Sequence, residues 1–553
     1  MNRRPDLVIQ MKKLTLLLTF GIFVNFSVLA KQTAPELILY NGKIFTSDTV
    51  QPNAKAIAIR GERILAVGSN EEIKKLAGAK TRLVDLQNHL VTPGFNDAHN
   101  HFMPKPPGFN LRLTELEPSW AETVEAIKNA VRETPKGQWI FGEIGGNVIA
   151  ESAANRSTLD RIAPDNPVML ETYFGHGLIV NSKAMTLLKI GENEANPLGG
   201  FFEYDALTKK INGRMFEYAH WRQLRLLAEM TSDEEAVKRL KQKANDAVRF
   251  GITSMQIMPT TRIEKFVKLL EKADLPVRVR AMTFSTTSAK GRDLSEIGGL
   301  SKLKSANAKI TASGIKWIVD GTPIERGAAL RKDYNDKPGW RGRLNFSESE
   351  IENIVKESLK FDQPLLLHCV GDWACQAVFD AMEKVGNGRI DWTKKRVRVE
   401  HGEMVIDDLL ARAKKLGVVI VQNPSHFTDG ELGRARWGGG KSQIRTMIET
   451  GVPFALGSDG PLNPFLNIML ASIHPDNPSQ AISREQAVRA YTSGSAYAEF
   501  AETQKGVLAK GKLADLAVLS QDIFSMPVSD LPKTQSILTI VGGKIVHDAQ
   551  VLK

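Results

Sequence analysis

Near its start the chain alternates apolar and polar positions in short runs. "LILYNGKIFTSDTV" and "AKAIAIRGERILAVG" break at Asn-Gly and Gly-Glu. Alternation with period two between turn dipeptides predicts half-buried strands. "GVLAKGKLADLAVLS" and "SILTIVGGKIVHD", close to the other end, have the same texture. Between these ends the pattern changes. Apolar runs of strand length ("GITSMQIM", "VRVRAMTF", "SGIKWIVD", "PLLLHCV", "RVRVEH", "VVIVQNP", "VPFALGSD") alternate with amphipathic stretches such as "SESEIENIVKESLKF". Strand–helix alternation argues for a parallel sheet. With "LVTPGFNDAHNH" as the first, the strands number eight, as a (β/α)8 TIM barrel requires.

The spacing of polar residues at the predicted strand ends fits that count. A barrel of ~250 residues spends about 31 on each βα unit. His368 and His401 are 33 residues apart, one unit, and His401 and Asp459 are 58 apart, two units. Lys316 to His368, 52 residues, is one unit with a long loop. His101 to Lys316 spans 215 residues where three units need roughly 93. The excess predicts an inserted subdomain after the first strand, at about 104–225. The expected architecture is an N-terminal part of a β-sandwich at 31–91, a TIM barrel at 92–495 carrying the insertion, and the C-terminal part of the sandwich at 496–553.

Residues 1–30 differ from the rest. "MKKLTLLLTFGIFVNFSVLA", from Met11, joins two lysines to a short apolar core and places Val28 and Ala30 before Lys31. This is the pattern of a cleaved signal peptide and predicts export to the periplasm or beyond, with no stable membrane insertion afterwards. Initiation at Met1 or at Met11 is equally compatible. The formal charge of +11 includes +3 from this leader, and the remainder forms no basic block. No nucleic-acid motif accompanies it, so the expected partner is a small-molecule substrate; a homo-oligomer is compatible with the sequence. Two cysteines, Cys369 and Cys375, exclude a disulfide framework and zinc-finger spacing.

The candidate chemistry lies at the strand ends. His99 and His101 share one face of the first strand because residues two apart point the same way. Lys316 ends the fourth strand, His368 the fifth, His401 the sixth and Asp459 the eighth. In such barrels this is the face that carries active sites, whereas the interior otherwise favours branched apolar side chains. An unpaired ammonium at Lys316 would be costly, so it must be paired, neutralised or modified. Asp320 and Asp459 offer the plain salt bridge.

"PGFNDAHNH", the strand-four lysine followed by "DG", "HCVGDWA", "EHGE" and "GSDGP" together resemble the amidohydrolase superfamily, in its amidohydrolase-3 (YtcJ-like) branch. "GKLADLAVL" resembles that family's sandwich framework, so the likeness spans about 35–550. His-x-His alone has little specificity; the ordered set of His, His, Lys, His, His and Asp at barrel spacing has much. The resemblance implies a binuclear centre, by default two Zn2+. His99 and His101 would hold one ion and His368 and His401 the other, with Lys316, as N6-carboxylysine, bridging them. Asp459 would orient the first ion and serve as general base toward water activated by the metals, in the hydrolysis of a non-peptide C–N bond such as an amide or formamide. Related deaminases carry a glutamate three residues beyond the strand-five histidine; that position is Gly371 here, which points away from deamination. A lactone or phosphotriester hydrolase on the same centre, or a non-catalytic secreted metal-binding protein, stays open. So do the roles of several neighbours. His176 and His426 contact substrate or merely fill the lid and a loop. Arg326 clamps an anion or salt-bridges within its loop. Asp97 fixes the strand end. Asp372 braces its loop. Glu400 and Glu403 orient imidazoles or face solvent.

Overall fold

The computed structural model describes residues 34–428 and 430–552; the expected signal peptide lies outside them. Eight strands form one parallel sheet in chain order: β1 (Phe95–Phe102), β2 (Ile252–Pro259), β3 (Arg278–Phe284), β4 (Ile310–Ile318), β5 (Leu365–Cys369), β6 (Arg398–His401), β7 (Val419–Gln422) and β8 (Phe454–Leu456). All eight coincide with the apolar runs that predicted them. The helices between them present apolar residues at helical spacing, as in Ile263–Ala273, which buries Ile263, Phe266, Val267 and Leu270.

Between β8 and β1 the barrel nearly closes without a regular ladder. The Asp459 N–H donates to the His99 carbonyl at 3.0 Å. Asp97 accepts from the Ser458 N–H at 2.8 Å and from its hydroxyl at 2.6 Å. Gly457 permits the approach, since a Cβ there would lie 2.4 Å from the His99 nitrogen. Asp97 therefore holds the strand end, and the seam it closes is the one that carries His99 and Asp459.

The two chain ends meet in two facing sheets. One runs in the order Arg63–Gly68, Ala56–Arg60, Leu37–Tyr40, Arg82–Asp85; the other in the order Lys544–Asp548, Ser536–Val541, Leu516–Leu519, Leu90–Pro93, Lys43–Phe45, Asn53–Ala54. Leu37, Leu39, Ile57, Ile59, Leu516, Val518 and Ile540 pack between them. Leu90–Pro93 runs through Gly94 directly into β1, so the sandwich fixes the direction in which β1 enters the barrel. Arg278, at the start of β3, grips Asp515 of the sandwich at 2.7 and 3.1 Å.

The segment between β1 and β2 holds a six-stranded mixed sheet, from Gly108–Asn110 to Ile211–Glu217, packed on the helix Trp120–Glu133 through Ile127, Ala130 and Ile140. It ends at Glu217, whose φ of 54° turns the chain sharply into the helix Tyr218–Met230. The Tyr218 hydroxyl accepts the Ile318 N–H at 2.8 Å, which fastens the returning segment to the end of β4. Among the described residues no helix is long and apolar enough to cross a membrane.

Candidate metal centre

Six of the chain's ten histidines gather where the barrel strands end. Their rings form a continuous chain: His101 to His99 (5.2 Å between centroids), His99 to His401 (4.9 Å), His401 to His368 (4.5 Å) and His368 to His176 (4.8 Å), with His426 against His401 (5.6 Å). Within this chain two groups bring ligand atoms together, His99, His101 and Asp459 and, more loosely, His401, His426 and Asp459. The Nε2 atoms of His99 and His101 lie 3.3 Å apart. The Asp459 carboxylate lies 3.6 Å from the first and 3.5 Å from the second. Ligands about 2.1 Å from a tetrahedral ion sit about 3.4 Å from one another. Two imidazole nitrogens and one carboxylate at these separations therefore fit a divalent cation.

A buried relay aims His99. Its Nδ1–H donates to Glu400 at 2.5 Å, a bond that turns Nε2 toward the centre. Glu400 in turn accepts from Arg398 at 2.7 and 3.0 Å, both side chains being fully buried. Burial alone would raise the Glu400 carboxyl; the Arg398 guanidinium outweighs it and holds Glu400 well below the usual carboxylate range. Arg398 also donates to the Ala98 carbonyl at 2.7 Å and to Gln256. The network ties β1, β2 and β6 together beneath the site.

Glu400 and His401 both reach the centre, although consecutive strand residues face opposite ways. The backbone resolves this at His401, whose φ of 68° ends the extended conformation and swings the ring inward. Its Nδ1–H donates to Asn423 at 2.9 Å, which leaves Nε2 free. Burial pushes His101 down to about 3, and His368 and His401 well below their ordinary value. Neutral imidazole is the form that binds metals. Asp459 is held below the ordinary carboxylate range: burial opposes ionisation, but His99, His101 and His426 outweigh it.

Lys316 is 1% exposed. Among the described residues its ammonium has no hydrogen bond and no ion pair. Asp320 does not supply one, because its carboxylate is taken by the N–H groups of Val370, Gly371 and Ala329 at 2.8–3.0 Å. Burial pushes Lys316 down to about 8, against the pull of Glu400 and Asp459. A buried amine of lowered pKa, without a partner and beside this centre, suits modification to an anion better than service as a cation.

The remaining candidates separate. His426 stacks on His401 at 24° and lies 3.9 Å from Asp459, with Glu403 on its other side at 3.7 Å. His176 donates through Nδ1–H to Glu217 at 3.0 Å beside His368. His368 Nε2 lies 3.5 Å from the Gly321 carbonyl, and its ring meets the centre through His401. Asp372 accepts the Arg331 N–H at 2.8 Å and braces its loop. Arg326 is spent on Asp336, to which it donates at 2.6 and 3.1 Å. Sequence reasoning passed over Trp221, which stacks on His101 (6.0 Å, 25°), as well as Arg398 and Asn423. The alternation in "RVRVEH" was the available signal for Arg398, since it sets Arg398 and Glu400 on one strand face.

A cavity of about 860 Å3 opens between the inserted sheet, the loop after β4 and the loop after β7, and meets the histidine chain at Glu217, which holds His176. Glu217 and Glu325 line it together with the aromatic side chains of Tyr173, Phe201, Phe216 and Trp340. His176, Glu217 and Glu325 also lie close enough together to share a ligand.

Fold and site define the protein's class: a (β/α)8-barrel hydrolase with a sandwich built from both chain ends. Residues 82–547 match the model of the Amidohydrolase family, and the chain belongs to that family. It is 27% identical over 543 residues to the N-substituted formamide deformylase of Arthrobacter pascens, covering 93% of this chain and 98% of that protein. YtcJ of Bacillus subtilis is 25% identical over 548 residues, covering 92% and 99%. Among solved structures, an uncharacterized metal-dependent hydrolase from Pyrococcus furiosus shares the fold, with a TM-score of 0.67 and 24% identity across 88% of this chain and 100% of that one.

Proposed function

We propose that the protein is an exported, metal-dependent amidohydrolase that cleaves a non-peptide C–N bond, an amide or formamide, with Asp459 as general base. The observation that carries this reading is the triangle of His99 Nε2, His101 Nε2 and the Asp459 carboxylate, 3.3–3.6 Å on each side. His99, His101 and Asp459 would hold one ion, His368 and His401 would hold a second, and Lys316, once carboxylated, would supply an anionic ligand between them. Bound there, the ions supply a water of lowered pKa and polarisation of the scissile carbonyl. Asp459 is ionised and its side chain is 21% exposed, so its carboxylate could serve as the base that takes up a proton and gives it to the leaving nitrogen. Glu400 and Arg398 keep His99 in the ligating tautomer. Trp221 lies across His101 and screens that side from water.

The N-substituted formamide deformylase among the relatives supports a formamide or related amide as the bond cleaved. The test is metal analysis combined with turnover of a panel of formamides, acetamides, lactones and aminated heterocycles, before and after chelation. Two ions per chain and amide turnover restored by Zn2+ are expected. Ammonia release from an aminated ring would instead establish a deaminase. Metal binding without any turnover would leave a binding protein.

A further inference from the structure

The charges that line the cavity can be accounted for one at a time. Glu117 accepts the N–H groups of Gly146 and Asn147, each at 3.0 Å. Glu203 accepts from Asn212 at 2.7 Å and Arg214 at 3.4 Å. Glu217 is taken by His176 at 3.0 Å and by the Asn345 amide at 2.8 Å. Glu325 accepts the N–H of Thr322 at 2.6 Å and also its hydroxyl. Glu431 is exposed at the rim. Of the cations, Arg326 is paired with Asp336, and Arg436 donates to the carbonyls of Pro323 and Ile324.

Arg343 is the exception. Among the described residues its guanidinium has no hydrogen bond and no ion pair, and its Nη2 is buried without a partner. It lies over the Phe201 ring, 4.0 Å from the centroid, and Phe201 stacks on Phe216 at 4.7 Å. A guanidinium over an aromatic face keeps donors free for two parallel hydrogen bonds, the arrangement that matches a carboxylate.

We infer that Arg343 anchors a carboxylate on the substrate, so that the amide cleaved at the metal centre carries a carboxylate that reaches across the cavity. The inference rests on the amidohydrolase reading above. It assigns to Arg343 the anion clamp for which Arg326 had been the sequence candidate. Glu217 and Glu325 attract Arg343 from the same side without hydrogen-bonding it, and His176, Asn345 and Thr322 already hold those two carboxylates, so the free donors of Arg343 are the ones a substrate carboxylate would meet. The aromatic wall suits a hydrophobic group between carboxylate and amide.

Two measurements on the zinc-loaded full chain separate the inference from the reading beneath it. The first is binding of 3-phenylpropionate and of 3-phenylpropionamide, which need no turnover, to wild type, Arg343→Met and Arg343→Lys. Wild type is expected to bind the acid more tightly than the amide. Arg343→Met should weaken the acid by about ten- to a hundredfold, and Arg343→Lys should restore part of it, all with unchanged metal content. Acid binding that survives in Arg343→Met reflects the metal centre and overturns the inference, as does a wild type that shows no preference. The second is kcat/KM for N-formylphenylalanine against its carboxamide. A wild-type preference for the acid that collapses in Arg343→Met supports the assignment. Equal turnover of both with an unchanged ratio in the variant overturns it and leaves the amidohydrolase standing. If neither compound nor their N-acetyl analogues react, the binding comparison alone decides, and loss of acid binding in Arg343→Met supports the anion site while the amide panel decides the amidohydrolase reading.

Discussion

The terminal sandwich and the barrel mouth are buried to the same degree and in opposite ways. Between the sandwich sheets lie Leu37, Leu39, Ile57, Leu516, Val518 and Ile540, which need only shape and the exclusion of water. At the mouth, equally buried positions hold His99, Lys316, His368, Arg398, Glu400 and His401. Each polar group there either has a specific partner or is left without one. The sandwich stabilises the chain and sets the course of β1. The mouth spends part of that stability on groups whose environment favours chemistry over packing. The two regions should therefore respond differently to the same size of lesion.

The largest separation is expected at Asp459. Asp459→Asn should lower kcat about 10^2- to 10^4-fold, with an unfolding midpoint close to wild type and with weaker retention of the first ion, so turnover is compared at saturating Zn2+. Steady-state kinetics with metal analysis checks this, and undiminished turnover would remove Asp459 from the mechanism.

Next come two substitutions of comparable thermodynamic size. Glu400→Gln leaves Arg398 buried without its counter-charge, a change that costs about 3–5 kcal/mol when one member of such a pair is lost. It also replaces the anionic acceptor of the His99 Nδ1–H with a weaker neutral one, so zinc affinity should fall, by about tenfold. Leu516→Ala in the sandwich should cost about 2–5 kcal/mol through the cavity it leaves, with kcat per folded molecule unchanged. Chemical denaturation and zinc titration read both. Equal effects of the two on zinc affinity would show that the sandwich and the mouth are coupled more closely than the hydrogen bonds indicate.

Lys316→Ala tests the bridge. It leaves a cavity where the buried aliphatic stem stood, so the metal-free protein should lose stability as at Leu516→Ala, less what removing an unpartnered buried amine returns. Occupancy of the second ion should drop, and short-chain carboxylic acids should restore part of it. Unchanged occupancy would rule out a carbamate at this position.

What the sequence made legible follows from locality. Eight apolar runs of strand length marked the barrel because a parallel strand buried on both faces is apolar throughout. His99, His101, Lys316, His368, His401 and Asp459 stood out because such residues are out of place at strand ends. The partners were harder to read. Glu400 lies next to His401 in sequence yet orients His99, some 300 residues away, because the positive φ at His401 breaks the alternation on which the inference depended. Trp221 and Glu217 come from the end of the insertion, in a helix start with no local sign that it folds back over the mouth. Arg326 and Arg343 are indistinguishable on paper; Asp336 decides between them only once the loop is folded.

The smallest effect follows from the same contrast. In chelated protein His101, His368 and His401 are neutral and held below their ordinary value by burial. The unfolded chain takes up protons at these positions once the pH drops below about 6.5. The stability they protect is therefore whole above that pH and is lost as acidity increases, by about 1 kcal/mol per imidazole between pH 6.5 and 5.5. The increment for Leu516→Ala, a purely apolar lesion, should be the same at pH 7 and pH 5.5. Replacing His368 with Gln should flatten the acid limb of the stability curve by about one such step. Urea denaturation of the three chelated proteins at both pH values reads this directly, and an acid limb unchanged in His368→Gln would mean that His368 is not the neutral, buried ring its surroundings in the mouth dictate.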